Sequence, residues 1–197
     1  MTDVCETSLS KRLKAQTHDT HDKLDKSIMS AASFDSVDGY VRFAEVQYLF
    51  HRDIDALYDV PALQNALPGL ADRRRLALIS ADLTDLDRTP PDGSEEGLAF
   101  VAAEPVDLPT ALGWLYVAEG SNMGAALLRK AAAKIGLSDD HGARHLAPAA
   151  EGPAAHWRAF TAALDAVALS DDEQRRAVAG AEAAFTRVQR HVDARIS

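Results

Sequence analysis

Apolar residues recur at helical spacing through almost the whole chain, whereas alternating β-branched patterns are nearly absent. Because residues three or four positions apart share one face of an α-helix, this spacing predicts an all-α fold. The chain has 197 residues, of which 47% are hydrophobic, so it can bury one sizeable core. We therefore expect residues 1–197 to form a single domain, with residues 1–7 as a flexible tail.

The charge balance and the cysteine content narrow the class of protein. The formal net charge is −9, which is a poor basis for binding nucleic acid through its phosphates. The sequence contains no apolar run long enough to span a membrane, and its first residues lack the apolar region of a secretory signal. Cys5 is the only cysteine, which is typical of a reducing compartment. We expect a cytoplasmic protein that binds neither nucleic acid nor membranes.

Capping and turn signals divide the chain into helices and connectors. Asp35 or Ser36 can cap a second helix, Pro109 suits the first turn of a long fourth helix, and Gly136 suits its end. The connector over 88–108 contains three turn signals and is the expected place for mobility. The predicted helices cover residues 8–29, 37–58, 70–86, 109–135, 154–167 and 171–194.

The apolar stripe of the first predicted helix contains a histidine. His21 shares the face of Leu13 and Leu24, and His18 falls at the edge of that face. A histidine in such a position is most often a core residue. The alternative is a lone axial metal ligand, and one histidine suits heme, because the porphyrin supplies the other four nitrogens.

Other metal sites have less support in the sequence. No HExxH motif or repeated Glu-x-x-His pattern is present, which argues against a zinc or di-iron centre. His141 and His145 lie four residues apart, but Gly142 and Pro148 place them in a loop. We interpret these two histidines as structural.

Three glycines interrupt the fourth predicted helix: Gly113, Gly120 and Gly124. Each glycine destabilises a helix by about 1 kcal/mol relative to alanine. One interpretation is close packing against another helix through Gly120 and Gly124. The other is that the backbone approaches a flat ligand more closely than a Cβ atom allows, with a kink at the glycines. Ser121 and Asn122 favour the second interpretation, because both disturb a helix and both can hold water.

Three segments resemble the bacterial heme oxygenases that serve iron acquisition. They are KRLKAQTHDTHDKLD, GWLYVAEGSNMGAALL and HGARHLAPAAEGPAAHWRAF. The resemblance implies a compact all-α fold that holds heme between a proximal helix and a kinked distal helix. It also implies an enzyme that cleaves heme with O2 and electrons to biliverdin, CO and Fe²⁺, so that heme is both substrate and cofactor. A non-catalytic heme carrier and a purely structural helical module are the alternatives.

The resemblance also assigns site residues. His21 matches the proximal ligand of the heme iron, while Lys14 and Tyr116 match residues that bind the heme propionates. A lysine and a tyrosine at these positions accompany α-cleavage in the family, and a β/δ-cleaving variant has asparagine and phenylalanine instead. The expected product is therefore biliverdin IXα. The positions that match the distal helix and its water network are Gly120, Ser121, Asn122, Gly124, His51 and Arg75.

Several of these positions have plainer explanations. His51 shares a helical stripe with apolar residues and suits a core position, Arg75 belongs to a run of three arginines, and Lys14 suits an exposed helix face. Near Val188, relatives carry an aromatic residue against the heme.

Electrons must come from outside, because the sequence contains no glycine-rich dinucleotide fingerprint. The resemblance implies a ferredoxin or a flavoprotein reductase as the donor. Lys11, Arg12, Lys14 and Lys26 form a candidate docking patch, and a solvated helix face is the alternative.

Overall fold

The structure is a computed structural model that describes residues 8–31, 34–93 and 97–196. Cys5 and the expected tail over 1–7 lie outside the described residues. The described chain is built from helices, which confirms the all-α prediction. None of the described helices is long and apolar enough to cross a membrane. The α-helices are α1 (Leu9–Ala31), α2 (Val37–Ile54), α3 (Pro61–Ala66), α4 (Leu76–Asp85), α5 (Leu108–Lys134), α6 (Pro153–Asp165) and α7 (Asp171–Ile196), with 3₁₀ turns at Asp55–Asp59, Leu70–Arg73 and Arg144–Leu146.

The long helices begin and end where the local signals predict. The Ser36 hydroxyl accepts a hydrogen bond from the Gly39 amide at 3.1 Å and caps α2. The Asp107 carboxylate caps α5 in the same way, so the helix begins at Leu108, one residue before the expected start. Gly136 follows α5 with a φ of 87°, a left-handed conformation that glycine adopts without strain.

The prediction of the third helix, over residues 70–86, is wrong in its first half. This segment forms a 3₁₀ turn followed by α4, because the side chains of the three consecutive arginines contact different parts of the structure. Arg73 pairs with buried Glu119 of α5 at 2.5 Å, and Arg74 lies 3.0 Å from Asp55. Arg75 points to a cavity described below. Contacts with distant parts of the chain therefore override the local helical preference at this point.

The prediction needs correction at one helix end and at one short helix. The second helix stops at Ile54 and continues as a 3₁₀ turn, instead of reaching Tyr58. The sequence prediction also missed α3, which has six residues and therefore too few to show a helical period.

The core lies where α5 and α7 cross. An added Cβ atom at Gly113 would lie 2.6 Å from the backbone nitrogen of Ala181, and one at Gly180 would lie 3.0 Å from the Cα atom of Thr110. Only residues without a side chain allow the two backbones to come this close. The close-packing glycines of α5 and α7 are thus Gly113 and Gly180.

Helices α1 and α7 run parallel, side by side. Three side-chain hydrogen bonds of 2.8–3.0 Å connect them, and the partners in every bond are 162 residues apart. This constant separation means that the two helices advance together in the same direction. The bonded pairs are Arg12 with Gln174, Thr20 with Glu182, and Ser27 with Gln189.

The second part of the 88–108 connector is fixed to the core by a buried carboxylate. Asp53 accepts two hydrogen bonds from the Arg187 guanidinium, at 2.7 and 3.0 Å, and one from the backbone amide of Ala99 at 3.3 Å. Nε2 of His191 lies 3.1 Å from the same carboxylate. Although burial acts to raise it, the pKa of Asp53 lies below its usual value because of the bonds with His191 and Arg187.

Candidate functional site

A cavity of about 720 Å³ opens between α1 and the second half of α5. Its volume is in the range of ligand pockets in proteins, and most of its lining is apolar. The structure brings all the sequence-predicted site residues to this one cavity. They are Lys14, His21, His51, Arg75, Tyr116, Gly120, Ser121, Asn122 and Gly124.

His21 is half-exposed at the cavity, with 53% of its side chain accessible. Its neighbours on the stripe, Leu13 and Leu24, are buried. The Nδ1 atom makes only long contacts with carboxylates, 3.5 Å to Asp22 and 3.7 Å to Asp25. A satisfied core histidine would be buried and hydrogen-bonded, so the geometry fits a ligand position better. His18 lines the same cavity.

Helix α5 continues without interruption through its glycines and presents backbone to the cavity. An added Cβ atom at Gly124 would meet nothing within 4 Å, and one at Gly120 would meet only the Trp157 ring at 3.7 Å. The close-packing interpretation of these two glycines is therefore wrong. Both glycines line the cavity, and Gly124 leaves open space that the exposed side chains of Met123 and Leu127 border.

The polar groups of α5 divide between the helix and the cavity. The Ser121 hydroxyl donates a 2.7 Å hydrogen bond to the carbonyl oxygen of Ala118, within its own helix. Asn122, by contrast, lines this cavity and also a second cavity of about 550 Å³. Asn122 is therefore the better placed of the two to hold water.

His51 and Arg75 face the cavity from α2 and from the start of α4. Burial lowers the pKa of His51 to about 3, and the positive charges of Arg75 and His145 add to this effect. His51 is therefore neutral at pH 7. The Arg75 guanidinium donates a hydrogen bond to the carbonyl oxygen of His145. Arg75 is thus not part of a solvated charge run.

Lys14 and Tyr116 lie on α1 and α5. The Lys14 side chain is exposed, whereas Tyr116 is buried next to Trp157, with 5.4 Å between the ring centroids. Burial and the charge of Asp165 raise the pKa of Tyr116, so the phenol keeps its proton and can donate a hydrogen bond.

The sequence prediction missed two residues at this cavity. The ring of Phe185, on α7, lies edge-on to the ring of His21, with 5.9 Å between the ring centroids. Phe185 is one helical turn before Val188, and both residues line the cavity. An aromatic wall is thus present, displaced along the same helix. His145, interpreted above as structural, also lines the cavity and is bonded to buried Asp82. Only the HGARHLAP segment as a whole could have indicated it.

Comparisons with known proteins identify the family of this chain. The family model described as heme oxygenase matches residues 7–194. The chain is 42% identical to heme oxygenase PigA of Pseudomonas aeruginosa over 178 residues, which covers 90% of this chain and 88% of the relative. It belongs to the heme oxygenase family, the enzymes that degrade heme to biliverdin.

Two solved structures share the fold. The NO- and CO-bound heme oxygenase of Neisseria meningitidis superposes with a TM-score of 0.89 at 37% identity, covering 96% of this chain and 92% of that one. Heme oxygenase from Leptospira interrogans gives a TM-score of 0.73 at 18% identity, covering 95% and 100% of the two chains, and supports the fold alone. Heme oxygenases take heme as substrate and need an external electron donor.

The residues at the cavity fit a heme. The open space next to Gly124 can accept a flat ring, and His21 offers an accessible imidazole. A neutral imidazole is a common axial ligand of heme iron. Among the described residues, no three His, Cys, Asp or Glu side chains converge as they would around a bare metal ion.

Proposed function

We propose that heme binds in this cavity with His21 as the axial ligand of its iron, and that the chain cleaves it there as one domain. The supporting observation is that an accessible histidine of α1 and the glycine backbone of α5 line one apolar cavity. Bound heme supplies the iron that binds O2 and the carbon that is oxidised.

In this proposal, the chain's own residues bind and orient the heme and supply protons. Gly120 and Gly124 leave room for O2 beside the ring and keep it near the ring edge. Asn122, neutral His51 and Arg75 hold water, through which protons reach the oxygen without a carboxylic acid in direct contact.

The proposed product is biliverdin IXα. The carbon that is oxidised is the one nearest the bound oxygen, so the in-plane rotation of heme decides the isomer. A Lys14–carboxylate contact and a Tyr116 hydrogen bond to the propionates would contribute roughly 1–3 kcal/mol to one orientation. Chromatography against the four biliverdin isomers tests this. Mainly β or δ isomer would show that Lys14 and Tyr116 do not set the orientation.

The decisive experiment for the function is conversion of bound hemin with a chemical reductant in the presence of catalase. An enzyme yields biliverdin, whereas a carrier keeps its heme. His21→Ala is expected to lose the native axial bond, and added imidazole is expected to restore the spectrum in part. A variant that keeps an unchanged histidine-ligated spectrum would move the assignment to His18.

We also propose that the electron donor is a ferredoxin or a flavoprotein reductase, and that the enzyme works in the cytoplasm. Lys11, Lys14 and Lys26 are exposed on α1, while Arg12 is partly engaged with Gln174. If these lysines dock an acidic donor, Lys11→Glu should slow heme reduction at low salt and have little effect at high salt. If Lys11→Glu and the wild-type protein have equal rates of heme reduction at low and at high salt, this surface is excluded. Cell fractionation tests the compartment.

A further inference from the structure

His145 brings a buried imidazole with an anionic partner to the wall of the heme cavity. It lies in the 3₁₀ turn Arg144–Leu146, and only 4% of its side chain is exposed. Its Nδ1 atom lies 2.7 Å from Oδ2 of Asp82, a fully buried residue of α4. The ring also stacks on Phe43 at 6.3 Å, which holds it from a second side.

Hydrogen bonds to Asp82 stabilise its ionised form. The backbone amides of Arg144 and His145 donate to it at 2.9 and 3.0 Å, and the Arg144 guanidinium donates at 3.2 Å. Although burial acts to raise it, the pKa of Asp82 lies below its usual value, because His145 and these amides donate hydrogen bonds to it. An ionised carboxylate only accepts hydrogen bonds, so Nδ1 of His145 carries a proton.

The other ring nitrogen of His145, Nε2, differs from Nδ1. It is buried and has no hydrogen-bond partner among the described residues. A buried polar atom without a partner is destabilising unless water or a ligand reaches it. Because the Asp82 bond fixes the ring, Nε2 offers a lone pair in the neutral form and an N–H group in the protonated form.

The charged and titratable groups around His145 behave differently from it. Burial keeps His51 neutral, as described above, and none of its described contacts is a hydrogen bond to a carboxylate. Arg75 holds the His145 carbonyl and keeps its own proton. Tyr40, with its ring 6.5 Å away, also stays protonated, because burial raises its pKa. Of His145, His51, Arg75 and Tyr40, only His145 combines a nitrogen that can exchange a proton with a hydrogen bond to a carboxylate.

We propose that His145, held by Asp82, supplies protons to the oxygen-binding side of the heme cavity. The inference rests on the proposed function. In the step, the Nε2–H bond breaks as an O–H bond forms on a cavity water, and that water gives one of its own protons to the oxygen that is being reduced. Nε2 regains a proton from the bulk solvent through the same water, and the Nδ1–H bond to Asp82 persists throughout. The external donor supplies the electrons, so the pair itself is neither oxidised nor reduced.

The first test uses the protein without heme. Nitrogen-15 NMR of the histidine rings is expected to show His145 with its proton on Nδ1. In Asp82→Asn the amide can donate to that nitrogen, so the proton is expected to move to Nε2. Wild-type protein with the proton on Nε2 would overturn the inference.

The second test compares His145→Phe with His141→Phe after loading with hemin. His141 is the matched control, because it lies in the same connector, is 57% exposed and does not line the cavity. His145→Phe is expected to move the midpoint of the acid–alkaline spectral transition by about half a pH unit or more, as loss of one hydrogen bond does. It should also slow heme conversion about tenfold or more. His141→Phe should leave both measurements unchanged.

His145→Gln separates proton supply from packing, and it decides the matter if the phenylalanine variant does not fold. Glutamine can hold water but cannot exchange a proton, so the spectral transition should return towards wild type while conversion stays slow. Full recovery of the rate in His145→Gln, or an unchanged rate in His145→Phe, would overturn the inference. Wild-type protein that makes no biliverdin would instead overturn the proposed function, and the NMR test would still judge the Asp82–His145 pair.

Discussion

The two halves of α5 use glycine for opposite purposes. In the first half, Gly113 allows the backbone of α7 to come closer than a side chain would permit. In the second half, the side of Gly124 is open, and the neighbouring Met123 and Leu127 are exposed. The same residue type in one helix therefore supports the fold in one place and leaves room for a ligand in another. Spacing along the sequence does not distinguish the two, but the space beside each Cα atom does.

The boundary between the halves is a buried ion pair. Glu119, the residue before Gly120, bonds to Arg73 from the turn that precedes α4. Burial raises the pKa of Glu119, although Arg73 opposes the effect. The pair holds α5 at the point where its packed half meets the half that lines the cavity.

The largest expected effect separates the two halves by stability. Gly113→Val should lower the free energy of unfolding by about 3 kcal/mol or more, because its side chain would overlap the backbone of α7. Gly124→Val should change it by less than about 1 kcal/mol, because the side chain would enter open space. Urea unfolding of both heme-free variants measures the contrast. Equal losses would mean that both glycines serve packing.

A smaller effect concerns His51, which lines the cavity together with the second half of α5. The folded protein binds a proton at His51 only near pH 3, whereas the unfolded chain does so near pH 6.5. The unfolded state therefore binds more protons between these values, and stability is lost as the pH falls. From pH 7.5 to pH 5 this loss is about 2 kcal/mol.

His51→Gln should remove most of that loss, since glutamine does not titrate. Unfolding measured at pH 7.5, 6.5 and 5 gives the slope for each protein, and the value at pH 7.5 provides the baseline. The same slope in both proteins would contradict a buried neutral His51.

The smallest effect tests the ligand role of the second half directly. Gly120→Val should fold and bind hemin, but convert it about tenfold more slowly, because the side chain would occupy the space beside the ring. Ala126→Val is the matched control on the same helix, since Ala126 does not line the heme cavity. Single-turnover spectra of the two variants give the comparison. A Gly120→Val protein with wild-type turnover would refute a ligand role for this half of α5.

The sequence predicts the long helices well and the short elements poorly. α1, α5 and α7 follow from apolar periodicity and flanking caps, which are local features. The break at Arg74 follows from contacts with Asp55, and such long-range partners leave no periodic signal. The same holds in the site: His21 and the glycines stand out within their own segments, whereas His145 depends on Asp82, 63 residues away.

The parallel pairing of α1 with α7 sets an order of events during protein synthesis. The helix that carries His21 is translated before its supporting helix, and every hydrogen-bonded partner follows 162 residues later. At ribosomal speeds of 5–20 residues per second, this interval is roughly 8–30 s. During that time α1 has no α7 to pack against, so a nascent chain cannot hold heme in the final geometry. Heme capture by this fold is therefore an event that follows translation of α7.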